Sequence, residues 1–133
     1  MIGPYALAVL DMAGTTVRDD GAVDEAFTTA LSSVGIGPDD PRYSSAQTYV
    51  RDTMGQSKAD VFAALLEPAE AQRATDEFAR AYERIVAEGR VAPIEGATDV
   101  FAALRAGGVQ VCLTTGFAPS TRAAATYSRA FSR

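Results

Sequence analysis

Asp11 is the first polar residue after an apolar stretch, and the Gly- and Thr-rich stretch 12–16 follows it at once. This arrangement predicts a carboxylate at the end of a buried strand, next to unpaired backbone N–H groups of the following loop. Such a carboxylate can attack an electrophile, and the N–H groups of Ala13, Gly14 and Thr15 can hold the oxygens of an anion such as phosphate. The alternative is an Asx-type turn, in which Asp11 only caps its own loop.

The composition limits the catalytic mechanisms in which the Asp11 carboxylate could take part. The 133-residue chain contains no His, which excludes Ser-His-Asp catalysis, Cys-His catalysis and His-ligated zinc from within the chain. Its 12 Lys+Arg against 17 Asp+Glu give a net charge of −5, which argues against a nucleic-acid-binding surface. No segment approaches the ~20 apolar residues that span a bilayer, and no basic residue precedes the apolar N-terminal stretch as in a secretion signal. We therefore expect a cytoplasmic protein without membrane contact.

Two apolar stretches are predicted to be strands of an α/β sheet. Residues 4–10 are continuously apolar without helical periodicity, which is typical of a strand buried on both faces, and residues 109–115 form a second strand. A helix over 97–106, ended by two glycines, precedes the second strand, and residues after 119 can form another helix. The lone Cys112 lies within the second strand, where we expect a buried small hydrophobe rather than a nucleophile.

The stretch between these strands has almost no strand character and is predicted to be a helical module. Its helices are expected over residues 23–34, 41–54, 57–66 and 68–88. We therefore predict an α/β fold with a partial Rossmann-like parallel sheet in a core of residues 1–17 and 93–133, and an inserted all-helical cap of residues 18–92. An insertion directly after the first strand's loop lies over the carboxyl ends of the strands, where open α/β sheets bind ligands.

The residues from Asp11 to Val17 resemble the first motif of the haloacid dehalogenase-like (HAD) superfamily, in its phosphonatase-like branch. The resemblance implies that Asp11 attacks phosphorus to form an aspartyl-phosphate, and that Mg²⁺ binds to the Asp11 carboxylate and the Ala13 carbonyl. Most phosphatases of the superfamily have a second Asp, the general acid/base, at the position of Ala13. Its replacement matches the phosphonatase-like pattern and argues against a phosphate monoesterase, which needs a proton donor for its leaving alcohol.

The residues from Met54 to Lys58 resemble the Met-Gly-x-x-Lys motif in the helical cap of phosphonoacetaldehyde hydrolases. The resemblance implies that Met54 and Gly55 lie at the substrate site and that Lys58 forms a Schiff base with an aldehyde. An iminium on Lys58 would delocalise the carbanion that C–P cleavage leaves, if desolvation lowers the pKa of the amine. A lone Lys at the start of a helix is otherwise most often a solvated surface charge.

Thr114 and Thr115, followed by Gly116, resemble the second motif of the superfamily, a strand-terminal Ser or Thr that hydrogen-bonds the transferring phosphoryl group. The resemblance implies that Thr115 orients this group, because it is adjacent to Gly116, with Thr114 and Gly116 as further phosphate-binding residues. The alternative is that both hydroxyls only satisfy backbone groups at the end of the strand.

Two departures from the family pattern limit these expectations. The sequence stops at Arg133, before the basic third motif and the acidic fourth motif, so we expect a C-terminally truncated member with poor Mg²⁺ affinity. We also expect an unpaired strand edge through which the chain can pair with another copy. The His that phosphonoacetaldehyde hydrolases have three residues after the Schiff-base Lys is Val61 here, and Asp60, Tyr49 or water could transfer protons instead.

The sequence therefore predicts a hydrolase that acts on a small phosphonate or phosphorylated metabolite, with Mg²⁺ as cofactor and an aspartyl-phosphate on Asp11. A competing hypothesis is a catalytically inactive fragment, or a helical binding module, that lacks the downstream motifs. A third hypothesis is a phosphate monoesterase, which requires another acid to replace the function lost at Ala13.

Overall fold

The computed structural model describes residues 5–117 and has the α/β architecture that the sequence predicts. Its strands are β1 (Leu7–Asp11), β2 (Val17–Arg18), β3 (Ala92–Pro93) and β4 (Gln110–Thr114). Its helices are α1 (Ala22–Ser33), α2 (Tyr43–Asp52), α3 (Lys58–Leu65), α4 (Pro68–Ala87) and α5 (Ala97–Ala106). The helix predicted after residue 119 lies outside the described residues. Among the helices of residues 5–117, none combines the length and apolar character that crossing a bilayer requires.

β1 and β4 form a parallel pair, which confirms the predicted parallel sheet. The register sets Leu7 beside Gln110 and Asp11 beside Thr114, so both carboxyl ends lie at the same edge of the sheet. Parallel strands need a long crossover connection, and here that connection contains all five helices between β1 and β4. Within residues 5–117 neither strand has a second partner, whereas the sequence predicts an unpaired edge only for the first strand.

The exposure of β1 and β4 differs from the sequence-based expectation. Leu7 and Val9 are 51% and 57% exposed, and Cys112 is exposed rather than buried. Side chains alternate between the two faces of a strand, and only the face that carries Leu10 and Val111 packs against the core. Since no element of residues 5–117 covers the other face, the predictions of a doubly buried strand and a buried Cys112 are wrong for the described part of the chain.

The helical module, by which we mean α1–α4, packs around an aromatic cluster. α4 has a continuous apolar face, and α1 and α3 both pack against it. The ring centroid of Phe27 in α1 lies 5.2 Å from that of Phe62 in α3 and 4.8 Å from that of Phe78 in α4. Since burying one Phe side chain contributes about 1.5–3 kcal/mol, these three rings are a main source of the cohesion of α1, α3 and α4.

The short strands β2 and β3 are an element that the sequence does not predict. They pair antiparallel, with Val17 beside Pro93 and Arg18 beside Ala92, and so bring the two ends of the helical module together. Two residues are too few to display the alternation from which a strand is inferred. The helices of the module, in contrast, begin and end within two residues of the predicted boundaries, and α5 has the predicted boundaries.

Candidate active site

A tight loop after β1 presents the Asp11 carboxylate at the edge of the sheet. The Met12 carbonyl oxygen accepts hydrogen bonds from the N–H groups of residues 15, 16 and 17 at 3.1, 3.0 and 2.9 Å. The Thr16 hydroxyl donates to the Asp11 carbonyl oxygen at 3.0 Å. These bonds form the turn without the Asp11 side chain, whose carboxylate accepts no hydrogen bond from the described residues. The Asx-turn alternative is therefore not the conformation of this loop.

The loop offers fewer backbone donors to an anion than the sequence predicts. The N–H of Gly14 donates to the Val17 carbonyl at 2.8 Å, and the N–H of Thr15 donates to the Met12 carbonyl. In this conformation the turn already uses these two predicted phosphate-binding amides, so their N–H groups are not free to bind an anion. Within residues 5–117 the N–H of Ala13 has no hydrogen-bond partner, and Ala13 is thus the one predicted amide of the three that is free to bind an anion.

The two threonines at the end of β4 have different surroundings. Thr114 is exposed, and its hydroxyl donates to the Leu10 carbonyl in β1 at 3.4 Å. The Thr115 hydroxyl oxygen accepts the N–H of Phe117 at 3.2 Å. This is the kind of turn that is expected if the hydroxyl satisfies a backbone group. Because Thr115 is an acceptor in this bond, its own O–H proton can still be donated to an anion.

The loop before α3 lies directly against the loop after β4. Gly55 has φ +97°, which favours glycine, and it turns the chain after Met54. The N–H of Lys58 donates to the Gly116 carbonyl at 3.2 Å. A Cβ atom on Gly116 would lie 2.4 Å from the Gln56 carbonyl oxygen, so only glycine allows this approach. The contact joins the Met-Gly-x-x-Lys stretch to the end of β4.

A cavity of about 100 Å³ lies between these three loops. Seven of the residues predicted for the site line this cavity: Asp11, Ala13, Met54, Gly55, Lys58, Thr115 and Gly116. The predicted residues Gly14, Thr15 and Thr114 are not among its lining residues. The sequence analysis did not identify two further lining residues, Val23 and Phe117. Val23 is one of the apolar residues of α1, and only the tertiary structure distinguishes it from the others.

The Lys58 side chain is buried within this site, with only 6% of its surface exposed. Its Nζ lies 5.4 Å from the ring centroid of Phe27 and 5.6 Å from that of Phe117. Within residues 5–117 it makes no hydrogen bond, and its nitrogen is farther than 4.0 Å from any carboxylate oxygen. Burial lowers the pKa of Lys58, and the Asp11 carboxylate raises that pKa by a smaller amount. The net effect is that the pKa of Lys58, beside the Asp11 carboxylate, lies below the ordinary value of a lysine.

The residues proposed to replace the missing His do not reach the cavity. Val61, at the position of that His, is buried. Asp60 is exposed and Tyr49 is half-buried, and neither of them lines the cavity. Neither of these two side chains thus borders the site, and of the three alternatives left open by the sequence only water remains.

Two oxygen groups beside the cavity are of the kind that a hard cation binds. Asp11 and Ala13 both line the cavity, and neither the Asp11 carboxylate nor the Ala13 carbonyl accepts a hydrogen bond from residues 5–117. Within the same residues, no group of three acidic or other metal-binding side chains exists. Mg²⁺ prefers six oxygens in an octahedron. Asp11 and Ala13 thus fit such an ion as two of its ligands, with further oxygens needed from water, substrate or residues outside the described range.

Comparison with known protein families gives one match that extends over almost the whole chain. The model of the haloacid dehalogenase-like hydrolases matches residues 5–130. A search of curated proteins finds no match.

Solved structures with the same fold are about twice as long as this chain. A hydrolase from Pseudomonas syringae matches with a TM-score of 0.77 at 19% identity, covering 98% of this chain and 56% of that protein. A phosphonoacetaldehyde hydrolase-like protein from Oleispira antarctica has a TM-score of 0.73 at 27% identity, covering 92% and 48%. CbbY from Rhodobacter sphaeroides, solved in complex with phosphate, has a TM-score of 0.68 at 18% identity, covering 95% and 56%. The chain therefore spans about half the length of the structures that it matches.

Proposed function

The chain belongs to the haloacid dehalogenase-like hydrolases, and from this premise we propose that it is a phosphonatase-like hydrolase of small phosphonates that carry a carbonyl group. In this proposal Asp11 is the nucleophile toward phosphorus, Lys58 forms an imine with the carbonyl carbon, and Thr115 orients the phosphoryl group. The helical module α1–α4 acts as the cap over the core of residues 1–17 and 93–133.

One observation carries the proposal: a buried amine and a carboxylate line the same small cavity. Lys58 and Asp11 both border the space of about 100 Å³, and Lys58 is almost fully buried. A solvated lysine has a pKa of about 10.4, which leaves about one amine in 2,500 neutral at pH 7. Because burial lowers the pKa of Lys58, a larger fraction is neutral and able to attack a carbonyl carbon.

The types of basic residue in the chain support this role of Lys58. Eleven of its 12 basic residues are Arg, and Lys58 is the only lysine. Arginine stays protonated in proteins, so Lys58 is the one side-chain amine of the chain that can act as a nucleophile.

The proposed reaction uses the two groups in sequence. The Lys58 amine adds to the substrate carbonyl, and water leaves to give an iminium. A carboxylate oxygen of Asp11 then attacks phosphorus, the C–P bond breaks, and its electron pair moves into an enamine on Lys58. Protonation and hydrolysis of the enamine release the aldehyde, and a second water hydrolyses the aspartyl-phosphate to phosphate. This route needs no proton donor at Ala13, because an enamine rather than an alkoxide is the leaving group.

Asp11 and Ala13 are the residues of this chain that would hold Mg²⁺ in the proposal. When bound, the cation would reduce the repulsion between the carboxylate and the anionic substrate. The N–H of Ala13 and the O–H of Thr115 would donate hydrogen bonds to the phosphoryl oxygens from two sides of the cavity.

The likeness to the Oleispira antarctica protein supports a phosphonate substrate, since its description is that of a phosphonoacetaldehyde hydrolase-like protein. The absence of an acid at position 13 supports C–P rather than P–O cleavage, for the reason given above.

Borohydride trapping tests the central step. Incubation of the chain with phosphonoacetaldehyde and sodium borohydride at pH 7 should reduce an imine to a stable secondary amine on Lys58, detected by mass spectrometry of the peptides. Because Lys58 is the only lysine, the only other amine is that of the N-terminus. Lys58→Met should lose the adduct, and Lys58→Met combined with Arg73→Lys provides a matched control, because residue 73 is exposed on α4. The control lysine should form far less adduct at pH 7.

The result that would overturn the proposal is the absence of a Lys58 adduct, or equal labelling of the exposed control lysine. A catalytically inactive binding module is the second candidate, favoured because residues 5–117 contain no group of three or more side chains that could hold a metal ion. Magnesium-dependent phosphate release that Asp11→Ala abolishes would exclude this second candidate.

A further inference from the structure

We propose that Phe27 and Phe117 are positioning residues that hold the Lys58 amine, and that the turn of residues 115–117 links this amine to the phosphoryl site. The inference rests on the proposed function, because it concerns how Lys58 becomes reactive. It assigns roles to two aromatic side chains that the sequence motifs leave without a function.

The two rings approach the amine from different parts of the fold. Phe27 belongs to α1 and is 1% exposed, whereas Phe117 follows β4 and is 7% exposed. Their centroids lie 5.4 and 5.6 Å from Nζ, within the range of a cation–π contact. The amine thus lies between the helical module and the segment that follows the sheet, and in the proposal both rings contribute to its desolvation.

Phe117 is anchored in the aromatic cluster of the helical module. Its ring centroid lies 4.5 Å from that of Tyr82 and 5.9 Å from that of Phe78. These contacts hold the Phe117 ring against α4 while the same residue lines the cavity. Phe62 belongs to the same cluster, 5.2 Å from Phe27, but its ring is not one of the two that contact Nζ.

The turn of residues 115–117 contacts Lys58 through backbone and side chain together. The Gly116 carbonyl accepts the N–H of Lys58 at 3.2 Å, and the Phe117 ring lies against the Lys58 Nζ. The Thr115 hydroxyl oxygen accepts the N–H of Phe117 at 3.2 Å. A phosphoryl group that binds the Thr115 O–H would therefore contact the same three-residue turn that places the ring on the amine.

Few charged side chains lie near the Lys58 amine. Asp11, at the end of β1, is the one carboxylate that lines the cavity within residues 5–117. Asp60 on α3 and the α1 acids Asp24 and Glu25 are exposed. Desolvation by the apolar surroundings is the largest cause of the lowered pKa of Lys58. Removing a ring should therefore admit water and outweigh the lost cation–π contact.

The experiment measures the pH dependence of Lys58 acylation by limiting acetic anhydride, with mass spectrometry of the Lys58 peptide. Phe27→Ala and Phe117→Ala should each raise the apparent pKa of Lys58 by about one unit, so that labelling at pH 7 falls about tenfold while labelling at pH 11 is unchanged. Phe62→Ala is the matched control: it truncates a ring of the same cluster and should leave the apparent pKa within about 0.3 units of the starting value.

Circular dichroism and thermal melts identify variants that do not fold. For such a variant, the Leu substitution at the same position keeps most of the core volume, and it should raise the apparent pKa by about half a unit. An unchanged pKa in a folded Phe27 or Phe117 variant would overturn the proposal, as would an equal rise in Phe62→Ala. Acylation needs no substrate, so failure of imine trapping with an intact pKa pattern would reject the proposed function and leave the positioning role standing.

Discussion

The backbone N–H of Lys58 donates a hydrogen bond to the carbonyl oxygen of Gly116 at 3.2 Å. The two residues are 58 positions apart, one at the start of α3 and the other just after β4. This bond, and the lack of space for a Cβ atom on Gly116, bring the lysine to the edge of the sheet where Asp11 lies. The candidate site therefore depends on one close backbone contact between the helical module and the segment after β4.

Gly116→Ala should separate these two loops. The added Cβ would meet backbone atoms of Gly55 and Gln56 at 2.4 to 3.0 Å, and backbone cannot move as easily as a side chain. We expect a loss of about 1–3 kcal/mol in the free energy of unfolding, measured by urea denaturation, and much less imine on Lys58. Gly37→Ala is the control, because nothing lies within 4 Å of its Cβ and it should change stability by less than about 0.5 kcal/mol. Equal stability of the two variants would contradict the close contact.

Lys58→Met should stabilise the chain while removing imine formation. A buried ammonium is desolvated, and an apolar side chain of similar length avoids that penalty, so we expect a gain of about 1 kcal/mol in the free energy of unfolding at pH 7. The folded pKa of Lys58 is lowered, so the unfolded chain binds more protons between that pKa and about 10.4. The penalty is full below the folded pKa and disappears as the pH rises through this interval. Urea titrations at pH 7 and pH 10 should show the gain shrinking; a constant gain would indicate a solvated lysine.

Asp11→Asn should separate the two chemical roles of the site. Without the carboxylate no aspartyl-phosphate can form, but the amine can still react with an aldehyde. Because Asp11 raises the pKa of Lys58, its removal should lower the apparent pKa in the acylation assay. Borohydride trapping by Asp11→Asn at pH 7 should therefore equal or exceed that of the original chain. A rise in the pKa of Lys58, or loss of the adduct, would contradict the proposal that the Asp11 carboxylate lies beside the Lys58 amine and raises its pKa.

Thr115→Val and Thr114→Val should differ in their effect on anion binding. Val keeps the shape of Thr but removes the hydroxyl, which at position 115 accepts the Phe117 N–H and borders the cavity. Titration with inorganic phosphate, followed by NMR or calorimetry, should give at least a tenfold weaker affinity for Thr115→Val. Thr114→Val, which loses only a 3.4 Å bond to the Leu10 carbonyl, should bind phosphate as the original chain does. Equal affinities would place the phosphoryl group elsewhere.

Local signals in the sequence were sufficient to predict the helices and the longer strands, and to select most of the residues that line the candidate site. Helix boundaries depend on prolines, glycines and apolar periodicity within a few residues, which is why α1–α5 agree with prediction within two residues. Asp11 ends one strand of the parallel pair and Thr115 follows the other, and parallel pairing brings the carboxyl ends of both strands to one edge whatever the details of packing.

Contacts between segments that are distant in the sequence determined which groups are buried and which hydrogen-bonding groups are free. The occupied amides of Gly14 and Thr15 depend on how the turn closes on Met12 and Val17, and the exposure of Cys112 depends on which face of the sheet other elements cover. The burial of Lys58 between Phe27 and Phe117 brings together residues from three elements that no short motif connects. Residue types and spacing thus selected the candidate reactive groups, whereas the solvation and free hydrogen-bonding capacity of these groups arose from long-range packing, because both depend on atoms that are remote in the sequence.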